Sequence, residues 1–146
     1  MLGRQILSPV KVVLRHDPAI DHGACSYDAY VRDHYAFDKL AFRPDAKPTV
    51  FVVKPLTRRQ RALVDGFSGR RADEVRVQCA LQHVEGYVLV GPDGVEEILE
   101  SPPRVTELSM CADEWMDRAS FHEDDVAALS QVIAEITDVR PLSCKR

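Results

Sequence analysis

Residues 43–56, RPDAKPTVFVVKPL, decide how this chain folds. RPDAKP is turn chemistry, rich in proline with an aspartate that bonds readily to nearby amides. TVFVV is an unbroken β-branched and aromatic run closed by Pro55, and it predicts a strand over 48–54. Directly beyond it Thr57 and Gln60 form the pattern T-x-x-Q. The threonine oxygen can accept from the third helical amide while the glutamine reaches back to the cap. A helix over 58–67 should start there and stop at Gly69.

Working toward the N-terminus, PVKVVLR places Val10, Val12 and Leu14 on one face, which predicts a strand over 9–15. The segment SYDAYVRDHYAFDKLAF begins with near-helical apolar spacing and ends with alternation. A short helix over 27–34 and a short strand over 39–42 follow from that change of period.

Toward the C-terminus, Val77, Ala80, Leu81 and Val84 recur at spacings of three and four, with Val75 and Cys79 alongside, and predict an amphipathic helix over 72–84. GYVLVGPDGVEEIL sets two apolar runs around GPDG, with Pro92 suited to a turn's first central position and Gly94 able to take positive φ. Strands over 87–90 and 95–99 are expected. Cys111, Trp115 and Met116 share a side and predict a helix over 111–118. Ser120 and Glu123 repeat the capping-box pattern, with Glu123, Asp124 and Asp125 where a helix dipole favours negative charge. Val126, Leu129, Val132, Ile133 and Ile136 form one stripe, so a helix over 121–137 follows, and RPLSCKR is a tail.

The expected fold class is α+β. Strands near 9–15, 39–42 and 48–54 build a small, mainly antiparallel sheet, joined by the hairpin near 87–99, packed by three to four helices and ending in an amphipathic C-terminal helix. At 146 residues the chain is the usual size of one domain. Residues 1–56 form the mainly β portion, 57–137 the mainly helical one and 138–146 the tail.

Hydrophobic residues make up 45% of the chain, which describes a globular protein and excludes wholesale disorder. No stretch reads as a signal peptide or a membrane span, and Cys25, Cys79, Cys111 and Cys144 form no C-x-x-C pair. Free thiols and a cytoplasmic location without membrane contact are expected. The net charge of −4 is unevenly placed: residues 1–76 hold 14 Lys+Arg against 9 Asp+Glu, and residues 77–146 hold 5 against 14. Such polarity suits self-association between copies or steering of a charged partner.

Three groupings bear on chemistry. His16, Asp17, Asp21, His22 and Cys25 are metal-ligand types within HDPAIDHGAC, but the spacings H-x5-H and H-x2-C match no common site, and the stretch reads as a polar connection. Ser68 in GFSGRR lacks the spacing of a nucleophile elbow, and no phosphate loop is present. Arg58, Arg59, Arg61, Arg70 and Arg71 crowd together, yet no aromatic residues interleave to stack bases, which argues against nucleic acid. No catalytic, cofactor or metal residue is assigned.

A resemblance supplies the functional expectation. Phe51, Val53, Pro55, Leu56 and Thr57 supply a phrase of the form F-x-L-x-P-L-T/S. Gly86, Tyr87, Asp93 and Gly94 approximate a G-W-x-N-x-x-D-x-D-G phrase, and 121–136 supply a closing amphipathic helix. In this order, from about residue 39 to 137, the chain resembles morphogenesis proteins of tailed bacteriophages, especially tail assembly chaperones. The resemblance implies a non-enzymatic chaperone or adaptor in the host cytoplasm. It would bind phage tail or head proteins, such as the tape-measure protein or the tube subunit, during virion assembly. A structural virion component, a head decoration or connector protein, is the alternative. Leu56, Leu63, Trp115 and Met116 are the candidate partner-facing residues, since helix faces that hold a partner must expose apolar side chains.

Overall fold

The structure is a computed structural model that describes residues 9–105 and 113–138. The decisive strand forms as β2, Val50–Val53, and all four of its residues are buried. It is the middle strand of an antiparallel sheet in the order β1-β2-β3, between β1, Val10–Val12, and β3, Leu81–Glu85. Val10 lies opposite Val53 and Val12 opposite Phe51, so the alternation read in PVKVVLR puts these four side chains on one face.

β1 is an edge strand, and edges need covering. Helix α1, Tyr27–Arg32, does this with two tyrosines. The Tyr30 hydroxyl donates to the Lys11 carbonyl at 2.6 Å and accepts from the Val13 amide at 3.3 Å, and the Tyr27 hydroxyl donates to the Val13 carbonyl at 2.6 Å. Backbone groups that a fourth strand would have taken are thereby used inside the fold. The strand expected over 39–42 does not form. Phe37–Lys39 is a 3₁₀ turn, and Phe42 contributes a single bridge to Ile20.

Both bonds of the capping box at Thr57 and Gln60 are present, starting α2, Arg58–Asp65. That helix closes at Gly66, and Gly69, expected as its stop, instead opens α3, Gly69–Ala80, with φ of +58°. The helix expected over 72–84 ends four residues early, because 81–85 become β3. Leu81 and Val84 lie opposite Val53 and Phe51, with an irregularity in the register between Val52 and Val53. Spacings of three and four cannot tell a helix end from a following short strand, and the unpaired side of β2 takes the strand.

Gly86, at φ +73°, leads the chain out of β3. The next two strands, β4, Val88–Val90, and β5, Glu96–Ile98, pair antiparallel around the GPDG turn, with Gly94 at φ +79°. This hairpin is a separate two-stranded sheet and does not join the first one.

Helix α4, Asp113–Ala119, occupies the described part of the 111–118 expectation; residues 111 and 112, Met110 and the tail beyond 138 lie outside the described residues. The last helix, α5, is Glu123–Thr137. Its cap differs from the expected box: His122 Nδ1 accepts from the Asp124 amide at 3.1 Å. Ser120, at φ +53°, turns its hydroxyl back to the Asp117 carbonyl at 2.9 Å and closes α4 instead. The stripe of α5 enters one core cluster with β1, β2, α1 and α3, in which Tyr30, Ile20, Leu129 and Ile133 are among the largest fully buried side chains. The fold is α+β, as the sequence predicts.

Candidate interaction surface

Among the described residues, the large apolar side chains left in solvent gather in one place. Val88, Val90, Val95 and Ile98 are 46%, 64%, 56% and 85% exposed, and all belong to the β4–β5 hairpin. Strand periodicity explains the arrangement. Val88 lies opposite Ile98 and Val90 opposite Glu96, so these side chains share the outer face. Leu89 and Leu99 point the other way, Leu99 buried and Leu89 packed against the core.

Three polar contacts fasten the inner side to α4. The Tyr87 hydroxyl donates to the Ala119 carbonyl at 2.6 Å, Trp115 Nε1 donates to the Glu100 carbonyl at 2.8 Å, and Arg118 pairs with Glu97 at 3.0 Å. Phe121 stands at the centre, with ring centroids 5.6 Å from Phe51, 5.3 Å from Tyr87 and 5.8 Å from Trp115. The hairpin is thus held from behind by an aromatic cluster, leaving its outer face uncovered. Burial, aided by the charge of Asp125, raises the Tyr87 hydroxyl above the ordinary tyrosine range, so it stays a neutral donor.

The four residues singled out in the sequence lie elsewhere. Leu56 and Trp115 are each 6% exposed and belong to the core. Leu63 and Met116 are half-buried and pack against it. Met116 also lines a cleft of about 640 Å³ beside Phe121 and Val126, rimmed by Asp73, Glu74 and Asp117. Trp115 bears on the surface indirectly, through its bond to Glu100.

The other groupings resolve into structural contacts. Asp17 accepts from the Ala19 and Thr49 amides, both at 2.9 Å, and Asp21 accepts from Gly23 at 3.1 Å. The Cys25 thiol donates to the Asp21 carbonyl, His22 Nε2 meets the Arg15 carbonyl, and His16 Nε2 lies 2.9 Å from Asp125. Among the described residues no group of three or more such side chains is placed to hold a metal ion. Arg70 pairs with Glu123 at 2.7 Å and Arg71 with Asp113 at 2.9 Å, so part of the charge polarity between the halves is matched within the molecule. Asp113 is held below the usual carboxylate range by its bonds to Arg71 and Gln78.

The exposed face had a signal in the sequence. Tyr87, Val88, Leu89 and Val90 are apolar at successive positions, whereas a two-stranded ribbon packed on a core hides only one face. Comparison of the chain with protein-family models, with curated proteins and with solved structures finds no match. No helix among the described residues is long and apolar enough to cross a membrane.

Proposed function

We propose that this chain is a non-enzymatic assembly chaperone or adaptor of a tailed bacteriophage, which binds a tail component such as the tape-measure protein or tube subunit through the outer face of its β4–β5 hairpin. The observation that carries the binding role is the exposure of Val88, Val90 and Ile98 together on that face, with Val95 exposed at the adjoining turn. Single exposed aliphatic residues are ordinary, but a contiguous group marks a contact surface. Covering one such side chain fully is worth roughly 1.5–3 kcal/mol, so a partner that seats on the group has a substantial apolar gain available. The phage context is supported by the sequence phrases around Phe51–Thr57 and Gly86–Gly94.

Coexpression with the tail and head proteins of the same genome tests this reading. The chain should co-purify with one of them and keep it soluble, and the Val90→Ser/Ile98→Ser variant should lose both effects. Retention of every client by that variant, or failure to bind any of these proteins, refutes the reading. Mass spectrometry of purified particles separates a chaperone, which leaves the finished virion, from a structural component, which stays.

A further inference from the structure

The hydrogen bond from the Gly91 amide to the Val95 carbonyl, at 3.1 Å, sets the phase of the hairpin ladder. Bonded and non-bonded pairs alternate along an antiparallel ladder. Leu89 and Glu97 are therefore a bonded pair, while Val88–Ile98 and Val90–Glu96 are not. The amides and carbonyls of Glu96 and Ile98 point away from β4, toward the outer edge of β5. Among the described residues no backbone partner takes them up, in contrast to the tyrosine-covered edge of β1. The side chains of the same two residues stand on the exposed face.

Charge narrows what fits this edge. Residues 86–103 contain Asp93, Glu96, Glu97 and Glu100 and no lysine or arginine. Arg118 answers Glu97, whereas Asp93, Glu96 and Glu100 have no ion pair among the described residues. A second copy pairing β5 to β5 about a two-fold axis would bring glutamates together, and like charges directly opposite are destabilising. A neutral strand would gain the backbone bonds and leave the carboxylates unmatched.

We propose that the open edge of β5 receives an extended partner segment that presents lysine or arginine opposite Glu96 and Glu100 and an aliphatic residue opposite Ile98, adding a third strand to the hairpin. Main-chain bonds to Glu96 and Ile98 give the affinity of such strand addition, and the alternation of cationic and aliphatic side chains on one face gives its selectivity. This rests on the partner-binding reading of the hairpin and adds the chemistry of the partner.

The probe is the acetylated, amidated peptide Thr-Lys-Thr-Val-Thr-Lys-Thr, titrated into the isotope-labelled full chain and followed by amide shifts and hydrogen exchange. Its pattern reads the same in either strand direction. The Glu96 and Ile98 amides should shift and gain exchange protection, with affinity roughly three- to tenfold above that of Thr-Glu-Thr-Val-Thr-Glu-Thr. The charge-swapped Glu96→Lys/Glu100→Lys chain should reverse the preference; both side chains are exposed, so the fold should tolerate the change. Equal binding of the two peptides, no binding at millimolar concentration, or shifts without protection of those two amides would overturn the proposal. Each of those results would leave the client test above untouched, since that test fails only if the chain binds none of the phage proteins or if their binding does not need Val90 and Ile98.

Discussion

The Leu56 amide donates to Thr137 Oγ1 at 3.0 Å in a buried setting, so the turn after β2 is bonded to the last residue of α5. Thr137→Val keeps the branched shape but leaves a buried N–H without a partner, which costs about 1–3 kcal/mol. Thr137→Ser retains the oxygen and should cost less. Denaturant midpoints of the two variants check the difference.

Gly86 meets two constraints at once. Its φ is +73°, and a Cβ there would stand 2.3 Å from the Pro48 carbonyl oxygen. The obstacle is backbone, so it cannot rotate away. Gly86→Ala should cost more than the roughly 1–2 kcal/mol of a left-handed residue alone, because the clash adds to it. Gly94, also at positive φ but with open space around it, should lose only that smaller amount on the same change, which makes it the control in thermal melts.

Alkaline pH should loosen the α1 contacts. Burial pushes the Tyr27 hydroxyl up to about 12, with the nearby Arg15 guanidinium offsetting part of the rise. Burial likewise raises Tyr30, against the opposing effect of its bond from the Val13 amide. Tyr35 is raised by burial and by its hydrogen bond to Glu135. These phenols are neutral in the fold and ionise near pH 10 when unfolded, so their contribution is complete below about pH 10 and is lost as pH rises toward the folded values. Tyr27→Phe removes one such ionisation and should flatten the alkaline limb of a stability-versus-pH curve, while lowering stability at neutral pH through the lost bond to Val13.

Substitutions should separate the exposed face from the core. Val90→Ser and Ile98→Ser alter side chains 64% and 85% exposed, and each should shift stability by less than about 0.5 kcal/mol. Leu56→Ala and Trp115→Ala empty buried positions and should cost about 2–5 kcal/mol. Equilibrium unfolding in urea distinguishes the two groups, and a large loss at Ile98 would mean that its side chain packs inside the molecule.

Much of the framework is written in local chemistry. TVFVV gives β2, Thr57 and Gln60 give the start of α2, and the Val126–Ile136 stripe gives α5, because each signal lies within a few residues. Failures occur where a distant partner decides. Residues 81–85 satisfy a helical spacing, but pairing with β2 makes them a strand. Ser120 has the sequence of a cap, yet α4 closes on it, and His122 takes its place. The same limit applies to the contact surface. Trp115 and Leu56 are the kinds of residue that anchor partners, but whether they face outward depends on what Phe121 and α5 cover.

The last helix also sets a schedule. Tyr35 is hydrogen-bonded to Glu135 across 100 positions, and His16 and Leu56 are tied to Asp125 and Thr137. During synthesis the strands from the first half emerge long before α5 can reach them. Closing so long a loop adds little entropy cost beyond that of a shorter one, but it must come late. Until then the core cluster that the apolar stripe of α5 joins is incomplete, so the nascent chain passes through a period in which its own apolar side chains are an aggregation risk.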